Sequence, residues 1–555
     1  MRAGLVKALT TPYSIIVAGA CLSHGLLLLN DGIYWDGWLV YHLRQANAWP
    51  TLIAWSTEAG GVPFPFFLRW ALGAWPGVIF GFRLAAFGAL TLAAILVYAV
   101  ATEVELWEPT DRLFVALLSL VYPAYQVAIE INTTKYLITY SVFLLAALLA
   151  LRAERAAGIQ HWSQRLLALG GFFLAFGTSS LLVWYLAFLL IQLVWFGRVQ
   201  GSRLPALITR YMLTHVDYLL WPALYSGLSR WLFPAAGVYA EDNAISFSWA
   251  SLVDGYRLFV QNALAGQWAE AFQGLLAGGL LGGAAGCAVM AGVFVWSGRH
   301  KAWPVSNRQA WAGLGVGGLL LLLGMLPYVL VGKPAALEGW NTRHALLVGL
   351  PLAVIIVGAV RLGLISRGTW LRPLGWAALT GLVWVFALAT IAYYTDWQAR
   401  WVKDQSVMLH LGKSDDLRRF AVLWIDDRYP VGGEPYYRFY EWAGIFKQVW
   451  GDEAHIGLDL NAYDADFLIY GRTFFTERYL LANFDPTGCQ AQLAIRPGSG
   501  HASNGQLAVQ YLAYKYFQPA KLADFLAAVT TITISPAAGS EAAPGGCEVR
   551  AGLLE

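Results

Sequence analysis

Long apolar segments fill the first 393 residues, and they constrain the fold more than any other feature of the chain. A helix needs about 20 apolar residues to cross a lipid bilayer. The chain is 58% hydrophobic and 13% charged, which excludes a wholly soluble protein, a disordered chain and a coiled coil. Eleven segments reach or approach the spanning length: 12–29, 76–101, 112–129, 135–151, 165–177, 181–197, 212–232, 272–296, 309–331, 344–360 and 373–394.

Charged residues are distributed unevenly along the chain. Residues 1–393 contain 38 of them, whereas the 162 residues from 394 to 555 contain 33. The change near Tyr394–Asp396 predicts a transmembrane domain over 1–393 and a folded α/β domain over 394–555. Within the second domain, the patterns predict a buried strand at Phe420–Ile425, a helix at Tyr436–Trp450 and a strand at Gln506–Ala513.

The positions of Lys and Arg predict the orientation in the membrane. With the N-terminus in the cytoplasm, the cytoplasmic segments collect most of these residues, including Arg152, Arg155 and Arg361. An odd number of spans then places the C-terminal domain outside, in the periplasm or the extracellular space. We therefore expect a multi-pass protein of a bacterial inner membrane or another plasma membrane, in which a Cys489–Cys547 disulfide is permitted. A net charge of +3 gives no case for nucleic-acid binding.

The stretch from Asn30 to Trp38 follows the first apolar segment and carries two carboxylates, Asp31 and Asp36, among aromatic residues. Two interpretations fit these carboxylates equally well. In one, a partly desolvated carboxylate with a raised pKa acts as a general base on an acceptor hydroxyl. In the other, the carboxylates cap a short helix on the membrane surface, with Asp36 as its N-cap.

A second stretch, Val331 to His344, opens the tenth segment on the same predicted face. Arg343 has a planar guanidinium suited to phosphate, and Lys333 supplies a point charge. The alternative is that Arg343 only extends its charge to the membrane surface at a span end. His344 fits an interfacial hydrogen-bonding residue better than a ligand.

Glu130 and Lys135 lie in the turn between the third and fourth segments. They either line the same cavity as the first-loop carboxylates or belong to a solvated turn. The sequence contains no His/Cys cluster for a metal and no nucleotide-binding motif, and it leaves a requirement for a divalent metal open.

The chain resembles the GT-C membrane glycosyltransferases, the superfamily of protein O-mannosyltransferases and aminoarabinose-type lipid A transferases. Acidic residues follow the first span, as in that superfamily. The pattern resemblance covers roughly residues 10–200, and it extends through four further sequence features: Pro63–Phe67, Gly81–Gly88, Tyr122-Pro123 and Asn132–Tyr136.

The resemblance implies a polyprenyl-phosphate-linked sugar donor and an inverting displacement with a first-loop Asp as base. We carry the base onto Asp36 first and Asp31 second. It also implies a cation near the donor phosphate. The candidate donor-binding residues are Arg343, His344, Lys333, Glu130, Lys135 and Arg83. The acceptor would be a glycan, a lipid or a protein, and the other partners would be membrane lipids.

The sequence departs from the family at its acidic motifs. Asp-Gly stands at both first-loop positions, where O-mannosyltransferases have Asp-Glu, and the WWDYG motif of oligosaccharyltransferases is absent. Two other classes of function remain as alternatives. One is a transporter or flippase for lipid-linked glycans, and the other is a non-catalytic envelope assembly protein. Transporters often contain internal repeats, and none is visible between the two halves of the membrane region, which favours an enzyme.

Overall fold

The computed structural model describes residues 11–58, 77–200, 204–236, 248–277, 307–365, 372–431, 437–460, 489–536 and 552–554, with the single residues 245 and 286. Helices make up the membrane region. They are α1 Pro12–Leu29, α2 Gly37–Gln45, α3 Trp49–Glu58, α4 Val78–Glu103, α5 Pro109–Leu120, α6 Thr134–Ala153, α7 Gly158–Ala175, α8 Ser179–Gln200, α9 Leu204–Thr214, α10 Val216–Leu232, α11 Trp249–Phe259, α12 Gln267–Ala277, α13 Asn307–Leu330, α14 Gly349–Ile365 and α15 Arg372–Lys413. Three 3₁₀ segments in this region bear on the site: Pro123–Ile129, Ile131–Thr133 and Trp340–Ala345.

Within the described ranges, six helices are long and apolar enough to cross a membrane: α1, α4, α6, α8, α13 and α15. The helix α5 and the segment Pro123–Ile129, bent by 52° at Val121–Tyr122, would form a seventh span if they cross together. The predicted class, a helical membrane protein with a small C-terminal sheet, agrees with this structure.

The predicted number of eleven spans is not confirmed. Helices do form at the predicted segments 165–177, 212–232 and 344–360, but α7, α10 and α14 are too short or too polar to meet the criterion for a span. The N-terminal half of α7 contains His161, Gln164 and Arg165, which lower its apolar content. Most of the predicted segment 272–296 lies outside the described residues, as does the motif Pro63–Phe67.

The helix α15 is 42 residues long, or about 63 Å at 1.5 Å per residue, which is twice the thickness of a bilayer core. Residues 373–395 of this helix contain no charged side chain, and Asp396 begins a charged second half. The predicted domain boundary at Tyr394–Asp396 therefore falls inside a continuous helix. Because α15 does not break there, it forms a rigid connection between the membrane region and the C-terminal domain.

The C-terminal domain, which we call the sheet domain, contains a five-stranded mixed sheet in the order β2-β1-β3-β4-β5. Its strands are β1 Val422–Asp427, β2 Ile456–Asp459, β3 Gln490–Pro497, β4 Thr530–Pro536 and β5 Gly552–Leu554, and its helices are α16 Phe439–Trp450, α17 Asn504–Phe517 and α18 Leu522–Val529. β1 pairs in parallel with both β2 and β3, and β4 runs antiparallel to β3 and β5.

Most of the sequence predictions for this domain are confirmed, and one is wrong. β1 and α16 lie where the patterns place them, but Gln506–Ala513 is part of the helix α17 and not a strand. Ser503 and Gln506 form a reciprocal capping box at the start of α17, and this interaction favours a helix over the alternating pattern. Cys489 is disulfide-bonded, while Cys547, its predicted partner, lies outside the described residues.

The sheet domain packs on α2, the short helix that follows the first span. The indole of Trp38 is 1% exposed and lies against Gly444 of α16. A Cβ added at Gly444 would be 2.6 Å from that indole. The Nε2 atom of His42 lies 3.1 Å from the Gly444 carbonyl oxygen and hydrogen-bonds to it. A glycine at this position therefore permits the close approach of the two parts of the chain.

Two groups of acidic residues that the sequence places on the cytoplasmic face are paired with arginines predicted on the same face. Glu103 pairs with Arg152 at 3.4 Å and with Arg155 at 3.2 Å. Arg361 lies 3.0 Å from Asp111, and the same guanidinium also pairs with Glu108. These ion pairs are consistent with a common face for the segments that carry them.

We predict that Gly444→Ala destabilises the protein, because the added methyl group collides with the Trp38 indole. Overpacking of this kind costs about 1–3 kcal/mol. The change should lower the unfolding temperature of the purified protein in detergent. Gly412→Ala is the matched control, since its Cβ would make only ordinary contact with Val449 at 3.7 Å. Equal unfolding temperatures for the two variants would contradict this account of the interface.

Candidate functional site

The first loop, residues Asn30–Asp36, joins α1 to α2 and carries both acidic residues that the sequence singles out. The Oδ1 atom of Asn30 accepts the N–H of Gly32 at 2.9 Å and the hydroxyl of Tyr34 at 3.1 Å. The buried guanidinium of Arg83 donates to the carbonyls of Asn30 and Gly32 at 3.3 and 2.7 Å. Arg83, predicted as a donor-binding cation, is thus engaged in fixing the conformation of this loop.

Trp35 is the residue of the loop that determines where Asp36 lies. Its φ angle is +46°, a conformation that costs a residue with a Cβ about 1–2 kcal/mol. Its ring is 1% exposed and lies 4.5 Å from the ring of Trp397 and 5.6 Å from that of Trp340. Its N–H donates to Oε1 of Glu441 at 3.0 Å. These contacts offset the backbone strain and fix the start of α2.

Asp36 is half-buried at the N-terminus of α2, but its side chain makes no capping hydrogen bond. Its backbone carbonyl accepts the N–H groups of Leu39 and Val40 at 3.1 and 3.3 Å. The predicted position of Asp36 as the N-cap residue of α2 is confirmed, but the predicted capping hydrogen bond from its carboxylate does not form. The chemical interpretation of this carboxylate therefore stays open.

Glu130 is completely buried beside the start of α2, so the interpretation as a solvated turn is wrong for this residue. Its Oε2 accepts the N–H of Thr133 at 2.8 Å. Its Oε1 has no hydrogen-bond partner among the described residues, and a Cβ at Gly37 would lie 2.9 Å from it. Burial, together with the charge of the nearby Asp36, raises the pKa of Glu130 to about 8. Glu130 is therefore mostly protonated at neutral pH, which relieves its repulsion with Asp36.

Arg343 borders a shallow cavity on this side of the membrane region. The empty space of the cavity, including the part open to solvent, is about 280 Å³. The guanidinium of Arg343 lies 4.1 Å from the centre of the Trp340 ring. Among the described residues no carboxylate comes within ion-pair distance of Arg343. The lining is mostly apolar, with Arg343 its one charged member: Ala124, Tyr125, Val127, Ala128, Thr133, Tyr136, Leu137, Thr342, Arg343 and Leu346.

The other predicted cations and His344 lie around this cavity without lining it. Lys135 places its ammonium group 5.1 Å from the ring of Tyr136, a lining residue. His344 is buried against Tyr328, with 4.8 Å between ring centres. Burial, together with the charge of Arg343, lowers the pKa of His344 to about 3, so its imidazole is neutral. Lys333 is half-buried in the turn before Trp340–Ala345.

Asp31, the second predicted base, is bound by the sheet domain. Its carboxylate accepts from Lys515 Nζ at 2.8 Å and from the hydroxyl of Tyr511 at 3.1 Å, both on α17. The pair is partly exposed, with side-chain exposures of 37% for Asp31 and 27% for Lys515. The adjacent ammonium group neutralises this carboxylate, which argues against Asp31 as the base.

A chain of aromatic contacts brings the two predicted parts of the site together. The ring of Trp35, the residue before Asp36, contacts the ring of Trp340, and the guanidinium of Arg343 also contacts the ring of Trp340. Glu130, beside Asp36, is hydrogen-bonded to Thr133, which lines the cavity of Arg343. The first loop and the segment Trp340–Ala345 are therefore adjacent.

Sequence reasoning missed the buried residues that hold the first loop from the sheet domain. Glu441 Oε1 accepts from Arg400 Nη2 at 2.7 Å as well as from the N–H of Trp35, and both charged side chains are at most 1% exposed. The other oxygen, Oε2, accepts the N–H of Arg438 at the start of α16. The only signal in the sequence is that Glu441 stands at the third position of a helix, where Glu often caps the helix start. This signal does not reveal that Trp35, 406 residues away, is also a partner.

The described part of the chain contains no group of three or more His, Cys, Asp or Glu residues arranged to bind a metal. No protein-family model, no curated protein and no solved structure matches the chain.

We predict that Glu441→Gln releases the first loop. The change removes the carboxylate that pairs with the buried guanidinium of Arg400 at 2.7 Å, and breaking a buried ion pair costs about 3–5 kcal/mol. Hydrogen–deuterium exchange of the full-length protein in detergent should show faster exchange of the amides of residues 30–42. Glu453→Gln is the control, since it removes a more exposed carboxylate that pairs with Lys447 in the same domain. Unchanged protection of residues 30–42 in Glu441→Gln would refute this role.

Proposed function

We propose that the protein is a membrane glycosyltransferase of the GT-C type. It would transfer a sugar from a polyprenyl-phosphate-linked donor to an acceptor on the membrane face that carries the sheet domain. We place this face outside the cytoplasm, because the distribution of Lys and Arg along the sequence favours that orientation. The observation that carries the proposal is the contact between Trp35 and Trp340, which brings the loop that carries Asp36 next to the segment that carries Arg343.

The cavity at Arg343 supports the class of donor. A polyprenyl phosphate combines an apolar chain with an anionic head, and the cavity combines an apolar lining with one guanidinium. Arg343 has no ion-pair partner in the described ranges, so its donors are available to a phosphate, which arginine binds in a bidentate manner. Arg83 does not offer the same opportunity, because the first loop already accepts from it.

Asp36 is the proposed general base. In the reaction, the acceptor hydroxyl attacks the anomeric carbon of the sugar, and its proton passes to the Asp36 carboxylate. The bond between the anomeric carbon and the phosphate oxygen breaks, and the lipid phosphate leaves with both bonding electrons. The guanidinium of Arg343 stabilises the negative charge that develops on this leaving group. The step needs no nucleotide and no redox partner.

Glu130 would support this arrangement in its protonated form. A neutral carboxyl group next to Asp36 avoids a second negative charge and is able to donate a hydrogen bond from its unpartnered oxygen. Pairs of carboxyl groups whose environments separate their protonation states are common in acid–base sites.

We predict that Asp36→Asn lowers the turnover number by roughly 100-fold or more, the usual effect of losing a general base. The assay uses the full-length protein in nanodiscs, a panel of radiolabelled polyprenyl-phosphate sugars, and an envelope fraction as acceptor. Asp31→Asn should cost less, because Lys515 already neutralises that carboxylate. Asp254→Asn, which changes an exposed carboxylate elsewhere in the membrane region, is the control.

Transfer by folded Asp36→Asn at the wild-type rate would dismiss the base assignment. Donor binding without transfer by the wild-type protein would favour a flippase.

We predict that Arg343→Gln weakens donor binding by roughly ten-fold or more, because a hydrogen bond to a charged group contributes about 1.5–3 kcal/mol. Binding of a radiolabelled polyprenyl phosphate to the reconstituted protein measures this change. Arg257→Gln, which alters an arginine that is 71% exposed and lies outside the cavity lining, is the matched control. Equal affinities for the two variants would leave Arg343 as a residue that only marks the end of a span.

A further inference from the structure

The helix α17 carries a contiguous apolar face that no described residue covers. Val509 is 67% exposed, Tyr516 52% and Phe517 82%. These residues lie seven and eight positions apart, which places them on one side of a helix. The opposite side of α17 is buried, with Leu507 and Tyr511 at most 3% exposed. We call the exposed side, Val509, Ala513, Tyr516 and Phe517, the α17 face.

Both ends of α17 are attached where apolar spans end. Near its start, Asn504 donates to Asp396 at 2.8 Å, and Asp396 is the first charged residue after the uncharged stretch 373–395 of α15. Near its end, Lys515 pairs with Asp31, which comes two residues after the last residue of α1. Since each span leaves the lipid at its first charged residues, the helix α17 lies along the boundary between membrane and water.

The helix α18 and the strand β4, which follow α17 in the sequence, are attached to α15 farther from Asp396. Ser406 bonds to the carbonyl of Leu526, and His410 bonds to the carbonyl of Thr530. These two residues come 10 and 14 positions after Asp396, or about 15 and 21 Å along a helix. The helix α17 is therefore the membrane-proximal layer of the sheet domain, and the helix α18 and the strand β4 stand away from the membrane.

The span that α17 is attached to also exposes apolar side chains. Leu29, the last residue of α1, is 41% exposed, and Leu22 of the same helix is 52% exposed. Asp31, two residues beyond Leu29, is the residue that Lys515 of α17 binds. Aromatic residues and lysine are the side chains that favour the interface between lipid and water, because they combine an apolar body with a polar group. Tyr516, Phe517 and Lys515 supply this combination in adjacent positions.

From these observations we propose that the α17 face binds the lipid surface of the membrane that the chain spans, with Val509 and Phe517 inserted among the headgroups. The sheet domain is then attached to the bilayer at a second place besides α15. This inference goes beyond the proposed glycosyl transfer and does not depend on it. Its physical basis is the burial of an apolar helix face by about 5–10 Å into the interfacial region.

The test is the quenching of a fluorophore by modified lipids. In a Cys21→Ser, Cys287→Ala background, the full-length variants Val509→Cys and Phe517→Cys are labelled with bimane and placed in nanodiscs. One preparation contains ordinary lipids, and the other contains lipids with a nitroxide near the headgroup. Asp416→Cys is the matched control, because Asp416 is exposed and follows the end of α15 at Lys413, which lies about 26 Å beyond Asp396 along the helix.

We expect the lipid nitroxide to quench the labels at positions 509 and 517 roughly two-fold or more relative to the label at 416, in line with insertion to interfacial depth. Iodide in the water should quench the label at 416 most strongly. Two results would overturn the proposal. If iodide quenches all three labels equally and lipid quenches none, the face lies in water. If neither quencher reaches positions 509 and 517, protein covers the face, as a second copy of the chain would. Catalytic activity is not measured, so the outcome is separable from that of the transferase assay.

Discussion

The buried carboxylate of Glu441 is the interaction on which the arrangement of the site depends. It joins three parts of the chain that are distant in sequence: the N–H of Trp35 in the first loop, the guanidinium of Arg400 in α15 and the start of α16. Buried ion pairs add little stability compared with apolar contacts of the same size, since both charges lose their hydration. In this protein the ion pair positions the first loop, because the Glu441 carboxylate binds two fixed donors and so permits one orientation of the loop.

This constraint explains why a strained residue can stand next to the proposed base. A positive φ at Trp35 is unfavourable, and it persists because the ring and the N–H of the residue both find buried partners. The partners belong to α15, to the sheet domain and to the segment Trp340–Ala345. The sheet domain is therefore part of the structure that positions Asp36. A continuous α15 is suited to this purpose, since a flexible linker at the same place would not keep Arg400 in register with the first loop.

The sequence predicted the parts of the fold that depend on local patterns. Apolar runs located the spanning helices α1, α4, α6, α8, α13 and α15, because hydrocarbon thickness sets a minimum length that is visible in one dimension. The prediction from sequence failed where two local signals compete. At Gln506–Ala513 the alternating apolar pattern indicates a strand, but the capping box at Ser503 and Gln506 starts a helix. The prediction also placed a domain boundary inside α15, since a change in charge density marks the membrane surface and not the end of a helix.

The sequence identified the residues of the candidate site, but it could not show which of them bind other parts of the protein. Asp36 and Arg343 are conspicuous in sequence because both lie next to apolar segments in stretches rich in aromatic and polar residues. The sequence could not show that Asp31 is bound by Lys515, which lies 484 residues farther along the chain. Nor could it distinguish Arg343 from Arg83, whose donors are occupied by the carbonyls of the first loop.

These two distinctions follow one physical rule. A charged group at the edge of a membrane has lost part of its hydration, so it is stable only when other groups replace the water. Asp31 and Arg83 have such replacements within the protein. Among the described residues, Arg343 has only the face of Trp340 and one carbonyl at 3.5 Å. Its guanidinium therefore retains donors for a ligand, and this is the reason for proposing that Arg343 binds the phosphate of the donor.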